Sequence, residues 1–383
     1  MSLGHTVPLL ARLRQAGRGF DLPLMAGMAL LSAIGLTIMY SAGHDFEGRF
    51  ATHARNVGLC WLVMFAVAQV PPQRLMQLAV PLYALGVALL VATALFGITK
   101  KGATRWLYLG VVIQPSEVLK LAMPLMLAWW FQKREGQLRL PDFVVATLLL
   151  MVPVGLIARQ PDLGTSLLVL SAGLYVIFFA GLSWRLIVPV MVVLVAALVA
   201  IVATGDALCQ PDRAWPVLRE YQKQRVCTLL DPARDPLGKG FHIIQGMIAI
   251  GSGGLTGKGF MAGTQTHLEF IPERTTDFIF AAYGEEFGLA GGLLLLGGFA
   301  FLIMRGLFIA AQAPSLFARL LAGAVALSIF TYAFVNIGMV SGVLPVVGIP
   351  LPFVSYGGTA MVTLGLALGM LMSIARARSL MQR

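Results

Sequence analysis

The residues best suited to chemistry in this 383-residue chain lie in the stretch GTQTHLEFIPERTTDFIFAAYGEEFGLAGG. Asp277 stands at the mouth of a long apolar run, close behind Arg274 and downstream of a glycine-rich loop that carries Lys258. A lone carboxylate among cations is typical of a general base inside a basic pocket. We therefore predict Asp277 as a catalytic residue, with Lys258 and Arg274 in the pocket. The simpler alternative is that Asp277 only stabilises the N-terminus of its helix.

The element that must position Asp277 is a helix. Thr275 or Thr276 can cap this helix, so Asp277 is expected in its first turn. Glu285 and Glu286 follow eight and nine residues later, which places them roughly 12–14 Å deeper at a rise of about 1.5 Å per residue. Two carboxylates at that depth in a membrane need partners.

A second group of ionisable residues lies in KGATRWLYLGVVIQPSEVLKLAMPL. Pro115 suits the first turn of a helix, where Glu117 benefits from the helix dipole. Lys120 follows one turn later on the same face. One interpretation is a buried structural ion pair. The other is a pair that lines a wet cavity near the outer surface, with Lys101 and Arg105 at its rim to hold an anionic ligand.

Several weaker signals accompany these clusters. Asp162 in QPDLGTS is expected to cap a helix. The glycine-rich stretch GSGGLTGKG lacks the spacing of a P-loop and indicates only an anion-tolerant surface. Three prolines and two adjacent glycines in LPVVGIPLPFVSYGGTA suggest broken backbone that lines a cavity. Cys209 and Cys227 can form a disulfide or remain free thiols, and no Cys/His spacing suggests a metal site.

The composition determines which class of protein carries these residues. The chain is 58% hydrophobic and 12% charged, with a mean hydropathy of +0.83, whereas soluble domains have about 25% charged residues. A soluble enzyme is therefore excluded. The net charge of +11 is explained by the positive-inside rule for membrane proteins, so nucleic acid is not an expected partner.

Apolar runs long enough to span a bilayer predict an all-α polytopic membrane protein with about ten transmembrane helices. The predicted spans are 22–41, 57–70, 75–98, 114–131, 143–157, 163–180, 186–204, 276–304, 316–340 and 352–375.

The distribution of Lys and Arg sets the expected orientation. Basic residues concentrate at one set of helix ends, which predicts that both termini are cytoplasmic. A large extracytoplasmic loop, 205–275, then lies between the seventh and eighth helices. We expect a single membrane domain over 1–383, with a cytoplasmic tail at 1–21 and a short re-entrant or surface helix at 241–250.

Taken together, these motifs closely resemble the SEDS family, the polytopic shape, elongation, division and sporulation proteins. The most specific stretches are QPSEVLK, QPDLGTS, LLDPARDPLGKGFHIIQGMIAIGSGGLTGKG, TQTHLEFIPERTTDFIF and NIGMVSGVLPVVGIPLPFVSYGG. The stretch THLEFIPERTTDFIF is similar to the branch that acts in cell elongation rather than division. The resemblance covers essentially the whole chain.

The resemblance implies a peptidoglycan glycosyltransferase of the inner membrane that polymerises lipid II at the periplasmic face during elongation and rod-shape maintenance. The family's catalytic aspartate falls on Asp277, which would deprotonate the acceptor hydroxyl. Both substrates hang on undecaprenyl pyrophosphate, and cations near it would stabilise the leaving group. The residues expected to bind substrate are Lys101, Arg105, Glu117, Lys120, Lys258 and Arg274.

The resemblance also implies protein partners and a divalent cation. A class B penicillin-binding protein, a transpeptidase, is the expected partner, together with other membrane proteins of the elongation complex and with membrane lipids. A divalent cation such as Mg²⁺ is implied as a weakly bound ion that assists the reaction. The sequence offers no dedicated ligand set for it, and no tightly bound cofactor is expected. Two other functions compete with polymerisation: a lipid II flippase and a non-catalytic scaffold for the elongation machinery. The position of most candidate charges near outer helix ends argues against the flippase, whose site belongs near the midplane.

Overall fold

The computed structural model of the protein describes residues 19–100, 103–108, 110, 112–210, 220–234 and 238–381. The first half of the chain contains seven helices: α1 Leu22–Ala42, α2 Arg49–Val67, α3 Pro72–Phe96, α4 Pro115–Gln132, α5 Leu140–Arg159, α6 Leu163–Phe179 and α7 Trp184–Ala203. Four shorter helices follow: α8 Gly205–Leu208, α9 Glu220–Leu230, α10 Lys239–Ser252 and α11 Thr264–His267. Three long helices complete the chain: α12 Ile279–Ala311, α13 Leu316–Val340 and α14 Gly358–Met381.

Helices occupy all ten positions where spans were predicted. Within the described residues, eight are long and apolar enough to cross a membrane, namely α1, α2, α3, α5, α7, α12, α13 and α14. Helix α6 is apolar but has only 17 residues, and the 18-residue α4 contains the Glu117–Lys120 pair. The all-α polytopic membrane fold is thus confirmed, whereas ten crossings stay a prediction.

A small antiparallel sheet between α3 and α4 was not expected from the sequence. Its strands are β1 Ile98–Lys100, β2 Ala103–Tyr108 and β3 Val112–Ile113, in the order β1-β2-β3. Thr99 pairs with Thr104, and their hydroxyl groups are 2.8 Å apart. Cross-strand threonine pairs of this kind stabilise a hairpin. The hairpin matters for function because β2 carries Arg105 and β3 leads into α4.

Helix α13 is the most buried of the candidate spans, since 67% of its apolar window is inside the protein, and α12, α6 and α4 pack around it. Helix α2 packs along α14, and α1 along α12. Helix α7 is the opposite case, because none of its side chains is buried. The core that fixes the site is therefore built around α13, and α7 stands apart from it.

The predicted eighth span is broken inside the membrane domain. Gly288 has φ 61° and ψ −159°, a conformation that L-residues rarely adopt. The loop after α10 supplies the hydrogen bonds that this break removes: Lys258 N and Gly259 N donate to the carbonyl groups of Glu285 and Glu286, and Leu289 N donates to Gly254 O. Irregular backbone at membrane depth needs such partners. The glycine-rich stretch thus completes α12, whereas the sequence had indicated only an anion-tolerant surface.

The segment between α13 and α14 is irregular, as its prolines predicted. Phe353 has φ 65°, and Pro350, Pro352 and Phe353 line a cavity that also contacts Lys120. The predicted tenth span therefore starts as a helix at Gly358 instead of residue 352. This broken segment contacts the turn that carries Asp277.

The long polar segment after α7 contains structure of its own. The predicted short helix at 241–250 is present as α10, and Cys209 and Cys227 form a disulfide, with Cα atoms 5.6 Å apart. The disulfide resolves the alternative that the sequence left open.

Candidate functional site

Asp277 does not lie in the first turn of a helix, which corrects the sequence prediction. Helix α12 starts at Ile279, and residues 272–278 form successive turns before it. The amides of Thr276 and Phe278 both donate to Glu273 O, so the chain closes a tight turn instead of a helical ladder. Neither Thr275 nor Thr276 caps the helix, because no side chain accepts a hydrogen bond at its N-terminus.

The reason is that the broken segment 341–357 takes the carbonyl groups that a helix would use. Tyr356 N donates to Thr275 O at 2.8 Å and Ser355 Oγ donates to Thr276 O at 2.6 Å. Asn336 of α13 donates to Asp277 O at 3.0 Å through its side-chain amide. Every carbonyl from 275 to 277 is thus fixed from outside the turn. The half-buried Asp277 is held in place by its backbone.

Asn336 couples the two irregular segments. The same amide nitrogen donates to Ile349 O at 2.7 Å, and the side chain is fully buried in α13. Next to Ile349, Gly348 has φ 76°, and a Cβ there would lie 3.3 Å from Asp277 Oδ2. The Asp277 carboxylate therefore faces the backbone at Gly348, where glycine leaves room beside it.

Arg225 of α9 is the cation that sequence reasoning missed. It is half-buried, and its Nη1 donates to Val346 O at 2.9 Å, two residues before Gly348, whose backbone faces the Asp277 carboxylate. Burial lowers the pKa of Arg225, since removal from water disfavours the charged form, while Asp162 and Asp277 act in the opposite direction. Arg225 Nε is buried and has no hydrogen-bond partner among the described residues. Arg225 therefore connects Asp277 to the second cluster.

The second cluster starts with Asp162, which has two roles. It caps α6 as predicted, since its Oδ1 accepts from Thr165 N at 3.2 Å. It also accepts a hydrogen bond from Gln114 Nε2 at 2.8 Å and lies 3.6 Å from Arg105 Nη1. About a third of the Arg105 side chain is exposed. Arg105 is thus partly open to solvent near Asp162, and its contact with substrate stays a prediction.

The Glu117–Lys120 pair lies deeper. Lys120 Nζ is 2.6 Å from Glu117 Oε1 and 5.5 Å from the ring centroid of Tyr332 on α13. Glu117 also accepts a hydrogen bond from Thr363 of α14 at 3.2 Å. Lys120 lines the cavity below the broken segment. Both interpretations of this pair keep support, because it is buried and ion-paired and yet borders a cavity.

Lys258 lies in a different environment from the one predicted. Its ammonium is 2.7 Å from Glu285 Oε1, and Glu285 is fully buried. Glu285 also accepts hydrogen bonds from Gln265 N at 2.8 Å and from Thr266 N at 3.0 Å. These contacts supply the partners that a carboxylate at this depth requires. The geometry assigns Lys258 a structural role in closing the loop onto α12.

We expect Lys258→Met to lower stability and leave catalysis by the folded protein unchanged. Glu285 would lose its cation inside the protein, and breaking a buried pair costs roughly 3 kcal/mol. Thermal unfolding in detergent measures the first effect, and turnover per folded molecule measures the second. Lys258→Arg keeps the charge and serves as the control. Normal stability with lost turnover would return Lys258 to the substrate site.

Arg274 is also ion-paired with a residue outside the candidate site. Its side chain is 5% exposed, forms an ion pair with Asp45 just after the C-terminus of α1, and donates to Ala42 O at 3.1 Å. Arg49 lies closer to the candidate site, because its Nη1 donates to Thr275 Oγ1 at 3.0 Å and its guanidinium is 4.6 Å from the Tyr356 ring centroid. Arg274 thus anchors the turn, and Arg49 is a second cation beside it.

Lys101, predicted at the rim of the site, lies outside the described residues. Glu286, whose carboxylate needed a partner, accepts a hydrogen bond from Ser41 and lies 3.6 Å from His267. The charged side chains thus form two groups. The site group contains Asp277, Arg225, Arg105, Asp162, Lys120 and Glu117; the structural group contains Lys258, Glu285, Glu286, Arg274 and Asp45.

The donor set does not fit a dedicated metal site. Within the described ranges, no three His, Cys, Asp or Glu side chains come together in a metal-binding arrangement. The two carboxylates nearest the site cations are already engaged, Asp162 with Gln114 and Thr165 and Glu117 with Lys120. No step proposed below depends on a metal.

The comparisons with known proteins agree with this architecture. The family model for the FtsW, RodA and SpoVE cell cycle proteins matches residues 22–380. The chain is 49% identical to the peptidoglycan glycosyltransferase MrdB of Escherichia coli K12 over 94% of each chain, and 32% identical to the peptidoglycan glycosyltransferase RodA of Treponema pallidum over 93% of this chain and 97% of that one.

Among solved structures, a chain of a peptidoglycan synthase complex that coordinates polymerization and crosslinking is 34% identical to this protein. It superposes with a TM-score of 0.77 over 94% of this chain and 98% of its own. The resemblance inferred from the motifs is thereby confirmed. This chain belongs to the FtsW, RodA and SpoVE family.

Proposed function

We propose that this chain is a peptidoglycan glycosyltransferase that polymerises lipid II into glycan strands at the outer face of the inner membrane. The observation that carries the proposal is the position of Asp277, which is fixed by its backbone on a turn and faces Gly348 of the broken segment, to which the half-buried Arg225 also bonds. The names of the E. coli and T. pallidum relatives support the same activity.

Asp277 acts as the general base. Its carboxylate removes the proton from the 4-hydroxyl group of the acceptor sugar as that oxygen attacks the anomeric carbon of the donor. The bond to the donor's pyrophosphate breaks, and the pyrophosphate leaves on its lipid. A positioned base of this kind contributes roughly 10²–10⁴-fold to the rate.

The cations near Asp277 stabilise the charge that grows on the leaving pyrophosphate. Arg225 and Arg105 lie within electrostatic range of each other, so an anion between them relieves their repulsion. Lys120 is farther into the bundle and is oriented by Glu117. We assign Arg225 and Arg105 to direct contact with the pyrophosphate. Lys120 contributes its positive charge from deeper inside the helical bundle. An arrangement of cations fixed before the reaction stabilises the transition state more than mobile water does.

We propose an orientation on the basis of the disulfide. Disulfides persist in oxidising compartments, so Cys209–Cys227 supports a periplasmic position for the segment between α7 and α12. The active site is then periplasmic and both termini are cytoplasmic. A class B penicillin-binding protein is the proposed partner, in keeping with the synthase complex that this chain resembles.

The test is glycan synthesis by the purified protein with its partner in detergent, from labelled lipid II. Detergent removes the two compartments, so a flippase or a scaffold gives no product. Glycan ladders on a gel, lost when this chain is omitted, are the expected result. A related polymerase of known activity serves as the positive control. If that control makes glycan while this protein leaves lipid II intact after prolonged incubation, the proposal is contradicted.

Replacing Arg225 tests its assignment. We expect Arg225→Ala to lower kcat/KM for lipid II about a hundredfold, because loss of one charged contact to a buried anion costs roughly 2–5 kcal/mol. Arg225→Lys keeps the charge but not the fork of donors and should be intermediate. Gln224→Ala, exposed on the same helix, is the control. Wild-type kinetics for Arg225→Ala would remove Arg225 from the site.

A further inference from the structure

The disulfide Cys209–Cys227 joins two elements that differ in how firmly they are held. Cys209 follows α8 at the end of α7, a helix with no buried side chain. Cys227 lies on α9, two residues beyond Arg225. The bridge therefore ties α9, which carries Arg225, to the end of α7.

Other contacts reinforce the same junction. Lys223 Nζ donates to Gln210 O at 3.0 Å, and the Lys223 side chain is 5% exposed. A Cβ on Gly205 would lie 2.6 Å from Leu230 Cδ1, which shows how closely the start of α8 approaches the end of α9. Both ends of α9 thus contact the segment that follows α7, with the disulfide between them.

On its other side, α9 reaches the site through Arg225. The guanidinium bonds to Val346 O in the broken segment and senses the charges of Asp277 and Asp162. A rotation or shift of α9 would move this group away from both carboxylates. The position of Arg225 therefore depends on what fastens α9 to the rest of the protein.

We propose that the Cys209–Cys227 disulfide is a positioning device for the catalytic site. It holds α9 so that Arg225 bonds to Val346 O, two residues before the glycine that faces Asp277, and it makes polymerisation sensitive to thiol reductants. This inference rests on the proposed function. Reduction by a dithiol such as dithiothreitol converts the bridge to two thiols, while the dithiol is oxidised to its cyclic disulfide. The dithiol supplies the two electrons and two protons that the bridge takes up. The released α9 then no longer fixes the guanidinium.

The experiment compares wild type, Cys209→Ser, Cys227→Ser and the double serine variant, each purified with the partner. We expect KM for lipid II to rise about tenfold in all three variants, and in wild type after reduction, equivalent to about 1.4 kcal/mol. Reductant should not change the double variant, which retains only Cys60. An unchanged KM in the serine variants overturns the proposal.

A double-mutant cycle separates positioning from general stability. If the bridge acts through Arg225, adding the two serines to Arg225→Ala should cause no further rise in KM. A purely structural bridge would lower the thermal midpoint and give effects that add to those of Arg225→Ala, and this additivity would overturn the proposal.

Hydrogen exchange gives a readout that does not depend on activity. Reduction should speed exchange of the α9 amides and leave α13 unchanged, because only α9 is released. Unchanged exchange in α9 would contradict the tether even in a protein that makes no glycan. If the wild-type protein makes no glycan but reduction still speeds exchange in α9, the proposed function is contradicted. The role of the disulfide in holding α9 is then supported.

Discussion

Asp277→Asn is expected to slow glycan synthesis at least about a hundredfold while the protein still folds. The amide has nearly the shape of the carboxylate but cannot accept the proton of the acceptor hydroxyl, so the rate should fall by roughly 10²–10⁴-fold. Folding should survive because the turn is fixed through the carbonyl groups of residues 275–277, which bond to Tyr356, Ser355 and Asn336.

Gel-resolved glycan from labelled lipid II measures this effect, and size-exclusion chromatography in detergent checks folding. The control is Glu47→Gln, which makes a comparable charge change on an exposed side chain away from the turn. It should leave most of the activity in place. Long glycan strands from Asp277→Asn at the wild-type rate would exclude Asp277 as the base.

Gly253→Ala is expected to destabilise the whole membrane domain. Gly253 has ordinary helical backbone angles, φ −71° and ψ −21°, so the substitution causes no conformational strain. A Cβ there would nevertheless lie 2.1 Å from Gly284 O, and this oxygen belongs to the rigid backbone of α12. Overpacking of this kind costs roughly 1–3 kcal/mol or more, and it would push the loop away from the break at Gly288.

Gly251→Ala is a matched control two residues earlier on α10. Its Cβ would meet no atom within 4 Å, and alanine favours a helix over glycine by about 1 kcal/mol. The two substitutions should therefore shift the thermal midpoint in opposite directions, down for Gly253→Ala and up or not at all for Gly251→Ala. Equal midpoints for both variants would show that the loop does not pack against α12 as described.

The helices were predictable because membrane spans require long apolar runs, which the sequence shows directly. The break in α12 was not, since Gly288 lies in an otherwise helical stretch and its lost hydrogen bonds are replaced by a loop about 30 residues earlier in the chain. The start of α12 was misplaced for a similar reason. The carbonyl groups of Thr275 and Thr276 bond to a segment 79 or more residues away, and local sequence carries no sign of this.

The candidate site was predictable in part. Asp277, Arg105, Glu117 and Lys120 were found because charge is costly near apolar spans and therefore informative. The ion pair of Lys258 with Glu285 was not predicted, because it forms only after the loop folds onto α12.

Arg225 was overlooked because it lies in a polar loop, where one more arginine is unremarkable by composition. The one local signal was its closeness to Cys227, since a cysteine that can be bridged marks a loop with a fixed shape. Arg49 was overlooked in the same way, as one of several basic residues outside the spans.

The central claim is that Asp277 acts on the reacting hydroxyl and does not bind the substrate's charge. Steady-state kinetics of Asp277→Asn with lipid II tests this claim most directly, with the purified complex in detergent. We predict a fall in kcat of at least about a hundredfold and a KM close to that of wild type, because Arg225 and Arg105 still hold the pyrophosphate. A wild-type kcat with a raised KM would contradict it.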